Sequence, residues 1–145
     1  MIVHFAASNS AIAIAIRTLT LSKWSHCAIQ IGPSIFEVTM RDGVSVTSMQ
    51  EFRRRYPKST TAIVDGGNKD IATTWLRAQV GKEYDYTALI GLPIDRDWQD
   101  PDKWFCSEYV AEALIKCGVM RPKVKSSRIT PKDLYLLLTC KDIMK

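Results

Sequence analysis

Apolar positions along the chain follow two periods, and the switches between them outline the elements. Ile2 to Phe5 reads as a short strand. Ala7 to Ser10 is small and polar, with Ser8 or Ser10 available as a helix cap. Ala11 to Leu21 fits two descriptions: its Ala-Ile alternation suits a strand, while its alanine content and Arg17 suit a helix. The preceding cap favours the helix. His26 to Ile31 and Ile35 to Met40 form a predicted hairpin around Gly32-Pro33-Ser34. Arg41-Asp42-Gly43 makes a second turn, and Val44 to Val46 continues the sheet. Met49 to Tyr56 is a short helix, and Thr60 to Val64 a strand closed by Asp65-Gly66-Gly67. Lys69 to Val80 is a helix with Ile71, Trp75 and Leu76 inward, ended by Gly81. Tyr84 to Leu92 reads as helical, and Asp95 to Lys103 as a polar, proline-bearing loop. Cys106 then opens an amphipathic helix whose apolar stripe is Tyr109, Val110, Ala113, Leu114 and Cys117. A basic connector, Arg121 to Ile129, leads to a last helix from Pro131 to Cys140, with proline near its first position. This order predicts an α+β fold, an antiparallel sheet packed against helices.

Composition narrows the picture. A chain of 145 residues suits one domain, taken as 1–145, around one core. Hydrophobic residues at 46% and charged residues at 24% are those of a globular protein. A net charge of +5 and a pI near 9.1 suit an anionic partner such as a cell-wall polymer, a lipid headgroup or nucleic acid. No helix combines a clustered Arg/Lys face with interleaved aromatics, which argues against nucleic acid. The densest basic run, Arg53-Arg54-Arg55, reads as a solvated helix end. Four cysteines without a C-x-x-C pair give neither zinc-ribbon spacing nor a disulfide framework, so reduced thiols and no metal or other cofactor are expected. No apolar run reaches the roughly 18 residues that span a bilayer. Phe5 to Ile16 lacks a preceding Lys or Arg and makes a poor signal peptide. The expected location is therefore cytoplasmic as synthesised, with any export depending on something else.

The chemistry concentrates on Cys106. A cysteine in the first turn of a helix meets unpaired N–H groups and a partial positive charge, both of which favour a thiolate. It needs a base, and the chain has two histidines. His4 sits in an apolar strand and reads as structural, whereas His26 opens a strand beside Trp24 and Ser25. If Gly32-Pro33 is a two-residue turn, Ile31 faces Ser34, Ala28 faces Glu37 and His26 faces Thr39. Side chains alternate along a strand, so His26, Ala28, Glu37 and Thr39 share a face. Glu37 is then diagonal to His26 and can orient it, as Thr39 could. The plainer alternative pairs Glu37 with a surface arginine. Cys27 points to the opposite sheet face and reads as core, as does Cys117. Trp104 and Phe105 are expected to pack the helix start against the sheet.

At these residues the chain resembles a known superfamily. LSKWSHCAIQIG resembles the histidine strand of permuted papain-like (NlpC-type) cysteine hydrolases, especially the YiiX/YebB-like branch. WFCSEYVAEAL resembles that branch's nucleophile helix, IFEV the strand with its acidic position, and GKEYDYTAL the segment before the nucleophile. Histidine precedes cysteine, the reverse of the papain order, as the permutation requires. The resemblance implies a thiol hydrolase of amide, ester or thioester bonds, with a cell-wall peptide as one substrate class; the small size and absent targeting segments would suit a phage or bacterial accessory protein. It makes Cys106 the nucleophile, His26 the base and Glu37 the orienting residue. Tyr84 matches a tyrosine beside the nucleophile and becomes a substrate or oxyanion candidate, against the simpler reading of a core tyrosine. Lecithin:retinol acyltransferase relatives carry N-C-E-H where this chain has F-C-S-E, so hydrolysis is favoured over acyl transfer. A non-catalytic binding module on the same fold is the other alternative, and the complete Cys–His pair argues against it.

Overall fold

The computed structural model describes residues 1–87, 100 and 102–140. Its sheet grows outward from one hairpin. Strands β2 (His26–Ile31) and β3 (Ser34–Thr39) are antiparallel, with Ile31 opposite Ser34 and Ala28 opposite Glu37. This is the register that a Gly32-Pro33 turn dictates, and Gly32 supplies the positive φ (58°) that so tight a connection needs. Strand β4 (Gly43–Ser48) pairs with β3, β1 (Ile2–Ala6) with β2, and β5 (Ser59–Ile63) with β1. The order is β4-β3-β2-β1-β5, antiparallel throughout.

Alternation then sorts the side chains. Val3, Phe5, Cys27, Ile29, Phe36 and Val38 enter the main core against helix α4 (Cys106–Lys116). In α4, Tyr109, Val110, Ala113 and Leu114 are fully buried, as the apolar stripe predicts. Burying each large side chain contributes about 1.5–3 kcal/mol. On the opposite face, Ala6, Ala28 and Ile35 lie under Phe52 of helix α2 (Met49–Arg55). His4 belongs to this face; its Nε2 lies 2.9 Å from Gln30 Oε1 and its ring tilts against Phe52.

The ambiguous Ala-Ile segment is helical, α1 (Ala11–Leu19), because the Ser10 hydroxyl accepts the Ala13 N–H at 3.2 Å. Helix α3 (Lys69–Ala78) forms where expected, but its inward stripe is one step off. Ala72 and Leu76 are buried and Trp75 is half-buried, whereas Ile71 is 49% exposed. With 72 and 76 at the centre of the face, position 71 is rotated about 100° towards solvent. The basic connector contains a short 3-10 turn (Ser126–Arg128), and Thr130 with Asp133 forms a capping box on α5 (Pro131–Thr139).

The region around Tyr84 corrects the sequence reading. Tyr84 lies in β6 (Glu83–Tyr84), paired in parallel with β7 (Lys103–Trp104), and not in a helix. The backbone groups here are committed elsewhere. Val44 N–H donates to the Lys82 carbonyl (2.8 Å), Gly81 N–H to the Val44 carbonyl (3.0 Å) and Asp85 N–H to the Trp104 carbonyl (3.0 Å). Residues 86 and 87 turn helical, while 88–92 of that predicted helix lie outside the described residues. So do 95–99 and 101 of the predicted loop, whose last residue, Lys103, is a strand residue.

The β4–β6 contact makes Gly43 a sensitive point. Its φ is 63°, and a Cβ there would run into the Lys82 carbonyl oxygen, whereas a Cβ on Gly32 would meet nothing within 4 Å. Gly32→Ala should therefore cost only the left-handed backbone strain, about 1–2 kcal/mol. Gly43→Ala adds a clash with backbone and should cost at least about 3 kcal/mol. Denaturant unfolding of the two variants measures the difference; equal losses would show that the Lys82 segment simply moves aside.

Candidate functional site

One end of the sheet gathers segments that are distant in sequence. β1 and β3 finish there, β2 begins there, and α4 starts there. The result is a cavity of about 550 Å³ whose lining includes Ser8, Ser25, His26, Thr39, Arg55, Tyr56, Tyr84 and Cys106. Cys106 is the first residue of α4, with Phe105 as the cap residue and the Glu108 carboxylate reaching back to the Phe105 N–H at 3.4 Å. The thiol thus sits among the unsatisfied amides of a helix start, inside a largely apolar shell.

His26 arrives from the other side of the sheet. Its Nε2 lies 2.9 Å from Glu37 Oε2, and Glu37 has no exposed surface. The hairpin register sets this diagonal contact. With Nε2 committed to the carboxylate, Nδ1 is the ring nitrogen left for Cys106, which lines the same cavity and is electrostatically coupled to the imidazole. Tyr56 stacks on the ring, with centroids 4.7 Å apart and planes 21° from parallel, and Phe52 lies behind at 6.4 Å. Between the two candidates for orienting His26, the hydrogen bond goes to Glu37. The Thr39 hydroxyl instead accepts the Asp42 N–H at 3.1 Å.

Electrostatics follow from these contacts. Burial alone would lower the imidazole pKa, but hydrogen bonds to Cys106 and Glu37 outweigh it and push His26 up to about 9. A hydrogen bond from the Cys27 thiol, followed by the hydrogen bond and charge of His26, holds Cys106 well below the ordinary thiol range, against the opposing effect of burial. Both shifts favour a thiolate paired with an imidazolium. Tyr84 is nearly buried in the cavity wall, where desolvation, then the nearby Cys106 charge, keeps its phenol protonated. The structure thus brings together all four residues singled out in the sequence: Cys106, His26, Glu37 and Tyr84.

Residues 2–135 match the family described as permuted papain-like amidase enzymes, YaeF/YiiX, C92 family. The chain belongs to this family. The crystal structure of metalloprotein YiiX from Escherichia coli O157:H7 superposes with a TM-score of 0.66 at 24% identity, over 83% of this chain and 66% of that one. That likeness is one of fold, and the chain spans about two thirds of YiiX. No curated protein matches. Among the described residues of this amidase-family chain, no group of three or more His, Cys, Asp or Glu is arranged to hold a metal ion, and no helix is long and apolar enough to cross a membrane.

Sequence reasoning missed two participants. Cys27 is buried on the α4 side of the sheet, as expected, but it is more than packing, because its proximity helps to hold the Cys106 pKa down. Arg55 was read as part of a solvated helix end. Instead its side chain is 26% exposed, with Nη2 2.8 Å from Glu37 Oε1 and 2.9 Å from the Thr47 hydroxyl that accepts its hydrogen bond. The plainer alternative for Glu37, a pairing with arginine, is therefore present together with the histidine contact. Adjacency to His26 was the one available signal for Cys27. For Arg55, no sequence pattern separated it from its two neighbours.

The electrostatics fix how Cys106 should react. Alkylation by iodoacetamide requires the thiolate, so the midpoint of its rate at Cys106 should lie well below that of an ordinary thiol. Replacing His26 with Gln should move that midpoint up towards an ordinary thiol. Site-resolved mass spectrometry against pH reads both; an unshifted midpoint near 9 in the unaltered protein would remove the activated thiolate.

Proposed function

We propose that this protein is a cysteine-dependent amidase. The observation that carries the reading is that Cys106 and His26, the latter held by Glu37, line one cavity. Residues 1–145 act as one domain. The Cys106 thiolate attacks the carbonyl carbon of the substrate, forming the C–S bond and a tetrahedral oxyanion. The Cys106 N–H, at the start of α4, and the Tyr84 hydroxyl serve as donors to that oxyanion. As the intermediate collapses, the His26 imidazolium gives its proton to the leaving amine and the C–N bond breaks. A thioester joins Cys106 to the acyl group. Neutral His26 then takes a proton from water as the hydroxide adds to the thioester. The C–S bond breaks, releasing the carboxylic acid and restoring thiolate and imidazolium. Glu37 holds Nε2–H, so that Nδ1 always faces the sulfur.

Membership of an amidase family supports the reaction type, and the apolar wall with charged residues at its rim suits an acyl group attached to a polar amine. Cell-wall peptides are one substrate class of this kind, and intracellular amides another; esters and thioesters would use the same thiolate chemistry.

Hydrolysis of a panel of muropeptides, acyl amides, acyl thioesters and lipid esters tests the reading. Cys106→Ala should abolish turnover, and His26→Ala should lower kcat/KM by roughly 10²–10⁴-fold. Turnover surviving in Cys106→Ala would overturn the assignment. The active form needs Cys106 deprotonated and His26 protonated. Activity should therefore rise with pH as the depressed Cys106 ionises, hold a plateau, and fall as His26 loses its proton near pH 9. Both limbs are properties of the coupled pair. Rates that keep climbing beyond pH 10 would be incompatible with a His26 proton donor.

A further inference from the structure

Glu37 has two oxygens and two cationic neighbours. His26 takes Oε2, and Arg55, from the last turn of α2, takes Oε1 at 2.8 Å. The Arg55–Glu37 contact is ionic in geometry, while the Arg55 hydrogen bond goes to Thr47 on β4 at 2.9 Å. Arg55 Nε also lies 3.4 Å from Glu51, but Glu51 is held by Arg54 through two hydrogen bonds of 2.8 and 2.9 Å. Glu51 is thus largely neutralised by Arg54, and Arg55 remains for Glu37. From Cys106 through His26 and Glu37 to Arg55, the charges alternate in sign across the end of the sheet.

We propose that Arg55 is a positioning residue for the reaction: it fixes Glu37 and balances its charge, and thereby sets how tightly His26 keeps its proton. Arg55 touches no reacting atom. It acts only through Glu37, so the inference rests on the amidase reading above and extends the Cys106–His26–Glu37 chain by one member.

The direction of its effect follows from the charges. With Arg55 removed, the negative charge of Glu37 is less compensated and holds the His26 proton more firmly. That less compensated carboxylate charge also makes the Cys106 thiolate less favourable. Both limbs of the activity profile therefore move to higher pH. Other groups facing the chain constrain this but do not reverse it. Tyr56, stacked on His26, and Tyr84, near Cys106, stay neutral because burial raises their hydroxyls. The Cys27 thiol is pushed up by burial and likewise stays protonated. In the β3–β4 turn, Asp42 is matched by Arg41 at 3.7 Å.

The test compares the unaltered protein with Arg55→Met and Arg55→Lys. Histidine ring NMR titration of His26, site-resolved Cys106 alkylation against pH, and kcat/KM against pH give three readouts. Arg55→Met should raise the His26 midpoint and the alkylation midpoint by roughly 0.5–1 unit each and lower kcat/KM by about tenfold or more. Arg55→Lys keeps the charge without the fork and should return both midpoints most of the way. In a Glu37→Gln background, Arg55→Met should shift neither midpoint, because the coupling runs through the carboxylate. Unmoved midpoints in a folded Arg55→Met protein would overturn the positioning role while leaving the amidase reading intact. If Arg55→Met fails to fold, an Arg55→Lys protein with midpoints displaced as far as roughly 0.5–1 unit would overturn the charge argument. Turnover that persists in Cys106→Ala would instead signal failure of the amidase reading itself.

Discussion

A carboxylate with no exposed surface is the constraint on which the rest of the site depends. Taking an ionised group out of water costs several kcal/mol, recovered only where partners are close and well placed. Glu37 has one partner on each oxygen: His26 from the neighbouring strand and Arg55 from the helix covering that face. The two come from different kinds of structure. His26 is supplied by hairpin register, which a slip of one residue would destroy. Arg55 is supplied by the length of α2, whose last turn also favours a cation near its unpaired carbonyls. Neither partner suffices alone, since removing one leaves a buried charge half-compensated.

The same constraint organises the chemistry. His26 would be driven towards the neutral form by its burial, yet its pKa rises because Cys106 and the Glu37 carboxylate both favour the imidazolium. Cys106 is buried too, and its pKa still falls, because Cys27 and the imidazolium stabilise its charged form, as does a position at a helix start. Low exposure strengthens each of these interactions, because little water remains to screen them. A site built this way holds its charge pattern before substrate arrives, and in the proposed reaction no reorganisation is needed to generate the nucleophile.

What the sequence made legible was whatever depends on local period and local register. The helix at Cys106, the hairpin and the Ala28–Glu37 pairing all follow from spacing, and with them the shared face of His26 and Glu37. What it hid depends on contacts between distant segments. Tyr84 reads as helical in isolation, but it pairs with Trp104 across the chain, and the residues just before it, Gly81 and Lys82, are held by β4. Ile71 looks inward by hydrophobicity, but the packing of Ala72 and Leu76 sets the rotation of α3. Cys27 alternates correctly away from His26, and only the docking of α4 on that face shows that its thiol meets Cys106.

Arg55 shows most plainly why a charge run cannot be read from composition. Three consecutive arginines on a helix point in three directions, about 100° apart. Arg53 is exposed, Arg54 is spent on Glu51 one turn earlier, and Arg55 turns beneath α2 to Glu37. The difference between a solvated side chain and a member of the buried charge chain is thus one step of helical rotation. That rotation is fixed by Phe52, three positions earlier, which is fully buried against the same sheet face that carries His26 and Glu37. The apolar anchor that holds α2 in place therefore also selects which arginine can reach the carboxylate, so packing and electrostatics at this site cannot vary independently.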